Sequence, residues 1–387
     1  MANISANQAA QELLDSCLAG RPWSRELASS LALDPALVRI VAEGLGDRFD
    51  PALVDRYAEI FCHVLAPMLP NGWSEAGLHA RYQRIRRAKP FTGSPDGVRN
   101  VYVLSRVTLG ADVAITSVLL DAVKRRFPQS RIWLCGSRKV HDLYEADSNI
   151  SFYRLEFTRG GSIRDNLGRV PYFKDGIVVD PDSRVTQLGI IPVCTDENYY
   201  FFESRSYGAD TDLSLCELAQ RWAGEVFGID DAKPYIAPRQ QRRSGKFITV
   251  SLGTGDNPNK AIRAPFERLL LEKITKLGPP VVVDLGASTE ERTRVMTAAE
   301  GLENIEFHEG FFARFASLVA QSALFYGYDS AAAHVAAVTQ VPMIAFFKGA
   351  VNDRFFSRWC PHGAGRKNII QIDDADQDPN EVIEMLG

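Results

Sequence analysis

Nine segments between Phe247 and Phe347 alternate in type, and this alternation restricts the fold more than any other feature of the chain. "FITVSL", "PVVVDLG", "IEFHEG", "ALFYGY" and "PMIAFF" are short runs, nearly all continuously apolar, as strands buried on both faces are. "APFERLLLEKITKLG", "STEERTRVMTAAEG", "FARFASLVAQS" and "SAAAHVAAVTQ" carry apolar residues three and four apart, the period of a helix with one buried face. Such strands need cover above and below. The segment therefore predicts a parallel, doubly wound α/β sheet with helices on both faces.

The same alternation occurs once before. "VYVLS" predicts a strand, and "DVAITSVLLDAVKRRF" a helix with its stripe at Val113, Thr116, Leu119, Leu120, Val123 and Phe127. "RIWLCG" then completes a strand–helix–strand unit. Further strands are expected at "ISFYRLEF" and "GIVVD", and a helix at "DLSLCELAQRWAGEVFG". The stretch before residue 95 has helical periodicity only, in "NQAAQELLDSCL", "SRELASSLAL", "DPALVRIVAEGL" and "DPALVDRYAEIFCHVLAPML". Two of these open with Asp-Pro, a capping acid followed by the proline suited to a first turn. The basic run Arg81–Gly97 and the polar, proline-bearing run Lys233–Lys246 read as linkers. Three domains are expected: a helical one over 1–95, an α/β one over 96–237 and a second α/β one over 238–387. The helical part carries no clustered chemistry, which suits packing, homo-oligomerisation or partner docking.

Composition excludes several classes. Of 387 residues, 45% are hydrophobic and 24% charged, the balance of a globular protein. A net charge of −4 supplies no positive field to gather nucleic acid, so no nucleic-acid partner is expected. The six cysteines are scattered without CxxC or Cys/His spacing, which predicts reduced thiols and no zinc site. The N-terminus lacks a signal-peptide pattern, and no run of about 18 apolar residues follows. The expectation is a cytoplasmic protein, with at most peripheral contact at the inner membrane face through the basic run at 81–97.

Ligands of doubly wound sheets sit beyond the carboxyl ends of the strands. Three strand-end loops there combine suitable residues. In "SRVTLGADVAITS", Asp112 follows the turn at Gly110; it caps the helix or, facing a cleft, takes a proton from a substrate hydroxyl. A helix N-terminus would depress its pKa. In "SLGTGDNPNKAIRAPFERL", the backbone at Gly253, Thr254 and Gly255 together with Lys260 and Arg263 suits a phosphate, although neither a Walker loop nor a dinucleotide fingerprint is present. In "GYDSAAAHVAA", Asp329 or Ser330 caps a helix whose alanines permit close approach, and His334 lies one turn in; packing alone would also produce this pattern. Lys348 and Gly349 end the next strand. Together these loops favour an anionic small ligand.

Weaker candidates remain. Asp180, Asp182, Ser183 and Arg184 form either a polyol contact or an ordinary turn. The aromatic run Asn198–Gly208, with Glu203 and Arg205, reads as core or interface. Cys360 and His362 are isolated, and His63, His79, His141 and His308 lie in unremarkable settings.

"YVLSRVTLGADVAITSVLLDAVKRRFPQSRIWLCGS" and "LFYGYDSAAAHVAAVTQVPMIAFFKG" resemble two segments of glycosyltransferase family 9, the ADP-heptose:lipopolysaccharide heptosyltransferases and their relatives. The resemblance spans roughly residues 100 to 375. It implies the GT-B fold, two Rossmann-like domains facing a cleft, and inverting, metal-independent transfer of a sugar, heptose in the family, from a nucleoside-diphosphate donor to a hydroxyl of a glycan or glycolipid. No cofactor is implied. By this resemblance Asp112 is the base, Lys260 the phosphate-contacting lysine, and Asp329, Ser330 and His334 belong to the nucleotide side. The chain differs from the family pattern at Ala111, which separates Gly110 from Asp112, at Ala331 in place of glycine, and at Lys348-Gly349 in place of Phe-Gly. A protein of this fold that binds nucleotide sugars without catalysis is the alternative.

Overall fold

The computed structural model describes residues 5–70, 72–158, 161–240, 242–255, 257–372 and 377–386. Both predicted sheets form, and every strand pairing in them is parallel. The first contains β1 (Asn100–Leu104), β2 (Arg131–Gly136), β3 (Ile150–Arg154), β4 (Ile177–Asp180) and β5 (Tyr199–Phe201), in the order β3-β2-β1-β4-β5. The second contains β6 (Ile248–Ser251), β7 (Val281–Asp284), β8 (Ile305–His308), β9 (Leu324–Tyr328), β10 (Met343–Lys348) and β11 (Lys367–Ile372), in the order β11-β10-β9-β6-β7-β8. Two strands were not foreseen. β5 lies inside the aromatic run read as core or interface, and β11 is a half-polar edge strand without a continuous apolar signal.

In each sheet the strand order reverses direction once, between β1 and β4 in the first and between β6 and β9 in the second. Loops diverge at such a reversal and leave a crevice, which is where ligands of open α/β sheets bind.

The chain divides into two compact units instead of three domains. The first runs to His141, resumes at Ser148–Lys233 and takes in Val351–Arg358; the second comprises Asp142–Asp147, Pro234–Ala350 and Trp359–Gly387. Residues 1–95 are therefore corrected from a separate domain to a helical layer of the first unit. The reason is shared burial: Leu13, Leu37, Phe61 and Tyr82 from the helices belong to one apolar cluster with Tyr102, Leu104 and Val178 of the sheet. The expected caps are present. Asp50 accepts from Ala52 N at 2.8 Å ahead of the helix Pro51–Leu65, and Asp34 accepts from Ala36 N at 2.8 Å. Residues 351–358 join the first unit through Arg358, only 2% exposed, which donates to the carbonyls of Gly208 and Leu213. None of the six cysteines forms a disulfide. No described helix is long and apolar enough to cross a membrane.

Candidate functional site

In the second unit, chemistry gathers at the β6/β9 reversal. Lys260, in a short 3-10 turn of the loop after β6, places Nζ 2.6 Å from Asp329 Oδ2 and 3.2 Å from the Asp329 carbonyl, just past β9. This ion pair bridges the two diverging loops. His334, 5% exposed, lies one turn into the helix Ala331–Val338, edge-on to Trp359 with ring centroids 6.2 Å apart. Burial pushes its pKa down, opposed by the Asp329 carboxylate, so the ring is neutral at pH 7.

Ser330 occupies the N-cap position of that helix, yet its side chain makes no cap bond, and Oγ is buried with no hydrogen-bond partner among the described residues. Asp329 does not cap the helix either, because Lys260 takes its carboxylate. Side-chain capping, expected from one of the two, is therefore absent. A buried hydroxyl and the leading N–H groups of a helix, beside a lysine that is 24% exposed, form a cluster of donors with one strong cation.

The described residues of the loop after β6 are scaffolded from inside. Arg294 Nη2 donates to Leu252 O at 2.7 Å, Tyr328 OH accepts from Ile262 N at 3.2 Å, and Lys348 Nζ donates to Ala261 O at 2.9 Å. Tyr328 in turn donates to Glu267 at 2.9 Å, and Arg294 pairs with the same carboxylate. Gly349, with φ +79°, turns the chain away after β10.

The glycine turn faces a different partner from the one expected. Thr254 N and Gly255 N, predicted to cradle phosphate along with Gly253, donate to Glu291 Oε1 at 2.7 and 3.1 Å, and Ala287 N donates to Glu291 Oε2 at 2.9 Å. An internal carboxylate, 7% exposed, holds these donors. Arg263 lies exposed further along the loop and is not drawn into the Lys260 cluster. Sequence reading missed Glu291, Arg294, Tyr328 and Glu267. "STEE" holds a signal for the first, since a serine followed three residues later by glutamate marks a helix start. Ser288 does cap, accepting from Glu291 N at 3.1 Å, while the glutamate side chain reaches another loop.

The first unit treats its own reversal point differently. Asp112 is not an N-cap, because the helix opens three residues earlier, at Leu109, and Asp112 begins a π-helical turn, Asp112–Thr116. That wide turn takes up one more residue than an α-turn. The Asp112 carboxylate is 0% exposed and folds back on its own loop. It accepts from Arg106 N at 2.8 Å, Ser105 Oγ at 2.8 Å and Thr116 Oγ1 at 2.7 Å. The pKa expected to fall is instead pushed up to about 6: burial outweighs the hydrogen bonds from Thr116, Arg106 N and Ser105.

Across β1/β4, Ser183 Oγ donates to Ser105 O at 2.6 Å, and Asp182 Oδ2 gathers Arg205, Ser204 at 2.8 Å and, more distantly, Arg106 at 3.8 Å. Val107 at φ +78° and Asp182 at φ +69° hold the loops in left-handed backbone, a costly conformation for a β-branched valine. The helical layer covers these loops: Arg184 pairs with Glu43 at 3.2 Å, Tyr57 OH donates to Gln187 at 2.7 Å, and Arg205 packs on Gly46 and over the Tyr57 ring. A pocket of about 50 Å³, lined by Ser105, Val107, Gly136 and Ser137 among others, remains at these strand ends. That volume holds a few waters.

Asp180, Asp182, Ser183 and Glu203 are thus buried bracing residues of the first unit. Burial raises Asp180 to about 6 and Glu203 to about 7. Among the described residues, no group of three His, Cys, Asp or Glu side chains is placed to hold a metal ion.

No protein-family model matches this sequence, and no curated protein does. Solved structures do share its fold. A glycosyl transferase family 9 protein from Veillonella parvula DSM 2008 is similar over 76% of this chain and 97% of its own, with a TM-score of 0.55 at 14% identity. E. coli heptosyltransferase WaaC with ADP is similar over 74% of this chain and 98% of its own, with a TM-score of 0.53 at 13% identity. E. coli ADP-heptose lps heptosyltransferase II covers 74% and 97%, with a TM-score of 0.50 at 16% identity. The two-sheet architecture is that of the GT-B fold.

Proposed function

We propose that this protein is a family 9-like glycosyltransferase that takes a nucleoside-diphosphate sugar at the β6/β9 reversal of its second unit. The observation that carries the reading is the Lys260–Asp329 bridge beside the partnerless Ser330 hydroxyl and the start of the helix Ala331–Val338. A diphosphate leaving group needs a cation and N–H or O–H donors, and these residues supply both without recourse to a metal. Lys348 and the Glu291 carboxylate keep the loop in shape, and His334 packs the junction as a neutral ring. Similarity in fold to heptosyltransferases supports heptose as the first sugar to try.

In this reaction the acceptor hydroxyl attacks the anomeric carbon as the bond to the diphosphate breaks. The nucleoside diphosphate leaves with the bonding electrons, and the hydroxyl proton passes to a base. Asp112 is the assigned base, with a pKa lifted towards neutrality as a base requires. Because its carboxylate is sealed behind Ser105, Arg106 and Thr116, the loop 105–112 has to open for it to act. That closure favours the second reading, a nucleotide-sugar-binding protein of the same fold without turnover.

A panel of nucleoside-diphosphate sugars tests both. ADP- or another NDP-sugar should raise the melting temperature, and Lys260→Ala should weaken donor affinity by roughly tenfold or more, as expected for loss of a charge-assisted contact. Transfer or slow donor hydrolysis abolished by Asp112→Asn with binding intact supports the transferase. Donor binding without turnover across a glycan and glycolipid panel supports the binding protein. Absence of any nucleotide-sugar binding removes both.

A further inference from the structure

The helical layer meets the 351–358 segment of the first unit at an open groove of about 430 Å³, lined by Leu18, Arg48, Asp50, Leu53, Asn352 and Arg354. Small-ligand sites fall in the range of about 300–1,000 Å³. We propose that this groove is an anion site that takes a phosphoryl group, independent of the donor reading. Nothing in that reading uses these residues.

The groove is built, not incidental. Two segments some three hundred residues apart in sequence are bonded together along its floor: Asn352 Nδ2 donates to Arg48 O at 3.3 Å, and Arg354 Nη1 to Phe49 O at 3.0 Å. Phe49, at φ +52° and 2% exposed, packs its ring against Phe355 with centroids 6.3 Å apart. That anchored turn fixes the backbone at Arg48, which lines the groove together with Arg354.

Charge decides the class of ligand. Two guanidinium groups line the groove against one carboxylate, Asp50, whose Oδ1 is engaged by Ala52 N at 2.8 Å. Arg48 Nε is buried and has no hydrogen-bond partner among the described residues. Burying an N–H donor of a charged group without an acceptor is costly, and an oxyanion removes that cost. Two guanidinium groups offer more donors than the two oxygens of a carboxylate use, whereas a phosphate monoester presents three free oxygens. Leu18 and Leu53 leave an apolar flank for the body that carries the phosphate.

The phosphoryl group has two sources, a soluble phosphate ester or a phospholipid headgroup, and one experiment separates them. Full-length protein carrying Lys260→Ala, which removes the site proposed in the second unit, is titrated with glycerol 3-phosphate and, separately, mixed with phosphatidic acid and phosphatidylcholine vesicles. Saturable glycerol 3-phosphate binding that falls at least tenfold in Arg48→Gln identifies a soluble ester. Sedimentation with phosphatidic acid but not phosphatidylcholine vesicles, lost in Arg48→Gln, identifies the headgroup. Leu53→Asp sets a second negative charge in the groove and should give the same losses if Arg48→Gln does not fold. Binding of neither probe, or binding that both variants leave unchanged, overturns the proposal. Donor binding by the wild-type full-length protein is scored separately, so failure here leaves the transferase reading standing.

Discussion

The two sheets reverse at equivalent points, and the loops there behave in opposite ways. After β1, the loop turns its acid inward: Asp112 is fully buried and accepts from three donors of its own neighbourhood. After β6, the loop turns its cation outward: Lys260 stays 24% exposed, and the bracing carboxylate, Glu291, comes from a different strand-end helix. One topology thus yields a closed loop under a helical layer and an open one in the other unit. Topology marks where a ligand can bind; the identity of the bracing residue decides whether that place stays open.

The largest effect that can break this comparison is on stability. Asp112→Ala strips the acceptor from two hydroxyls and a backbone N–H in a dry site, and should lower the unfolding free energy by about 3 kcal/mol. Lys260→Ala should cost about 1 kcal/mol, because the pair is partly solvated. Urea denaturation measures both. Equal losses would mean that the two loops are braced alike.

Next comes pH. Asp112, Asp180 and Glu203 have folded pKa values raised to about 6, 6 and 7 by burial. A raised folded value favours the protonated native state. The stability these groups contribute is whole below about pH 4 and is lost as pH rises through about 6 to 7. All three belong to the first unit, whereas Glu306 and Glu309 in the second are lowered by Arg243 and Arg292 and act in the opposite sense. Unit-resolved hydrogen exchange between pH 5 and 8, corrected for intrinsic rates, should show the first unit losing protection. Asp112→Asn should flatten that loss, and an unchanged slope would remove Asp112 as its source.

The smallest expected effect is at Gly253. A Cβ there would lie 3.6 Å from Glu291 Oε1, an ordinary contact, so Gly253→Ala should change stability by less than about 0.5 kcal/mol and leave donor affinity intact. A large loss would show that the glycine turn itself contacts the ligand.

Much of the fold was legible because strands buried on both faces leave continuous apolar runs; nine of the eleven described strands were foreseen, the edge strands β3 and β8 from more mixed segments. β5 and β11 escaped, the one being three residues inside an aromatic run and the other a half-polar edge. The linker-like boundary near residue 95 misled, since a basic, proline-bearing stretch does not reveal that Tyr82 and Leu104 share one core. The assembly of Lys260, Asp329, Ser330 and His334 followed from strand-end position, which the order of elements already implies. The partners of the glycine turn did not follow, because Glu291 lies 36 residues beyond Gly255 and meets it only across the β6/β7 pairing.

Local patterning, then, determined what is periodic or adjacent: two doubly wound sheets, their helices, the two Asp-Pro caps and the strand-end loops that hold the candidate residues. Tertiary structure alone decided which of those residues face solvent. A carboxylate reads the same in sequence whether it is a base or a brace. Only the packing of the π-turn and its own loop, which seals Asp112 while Lys260 stays accessible, set its environment and so its pKa.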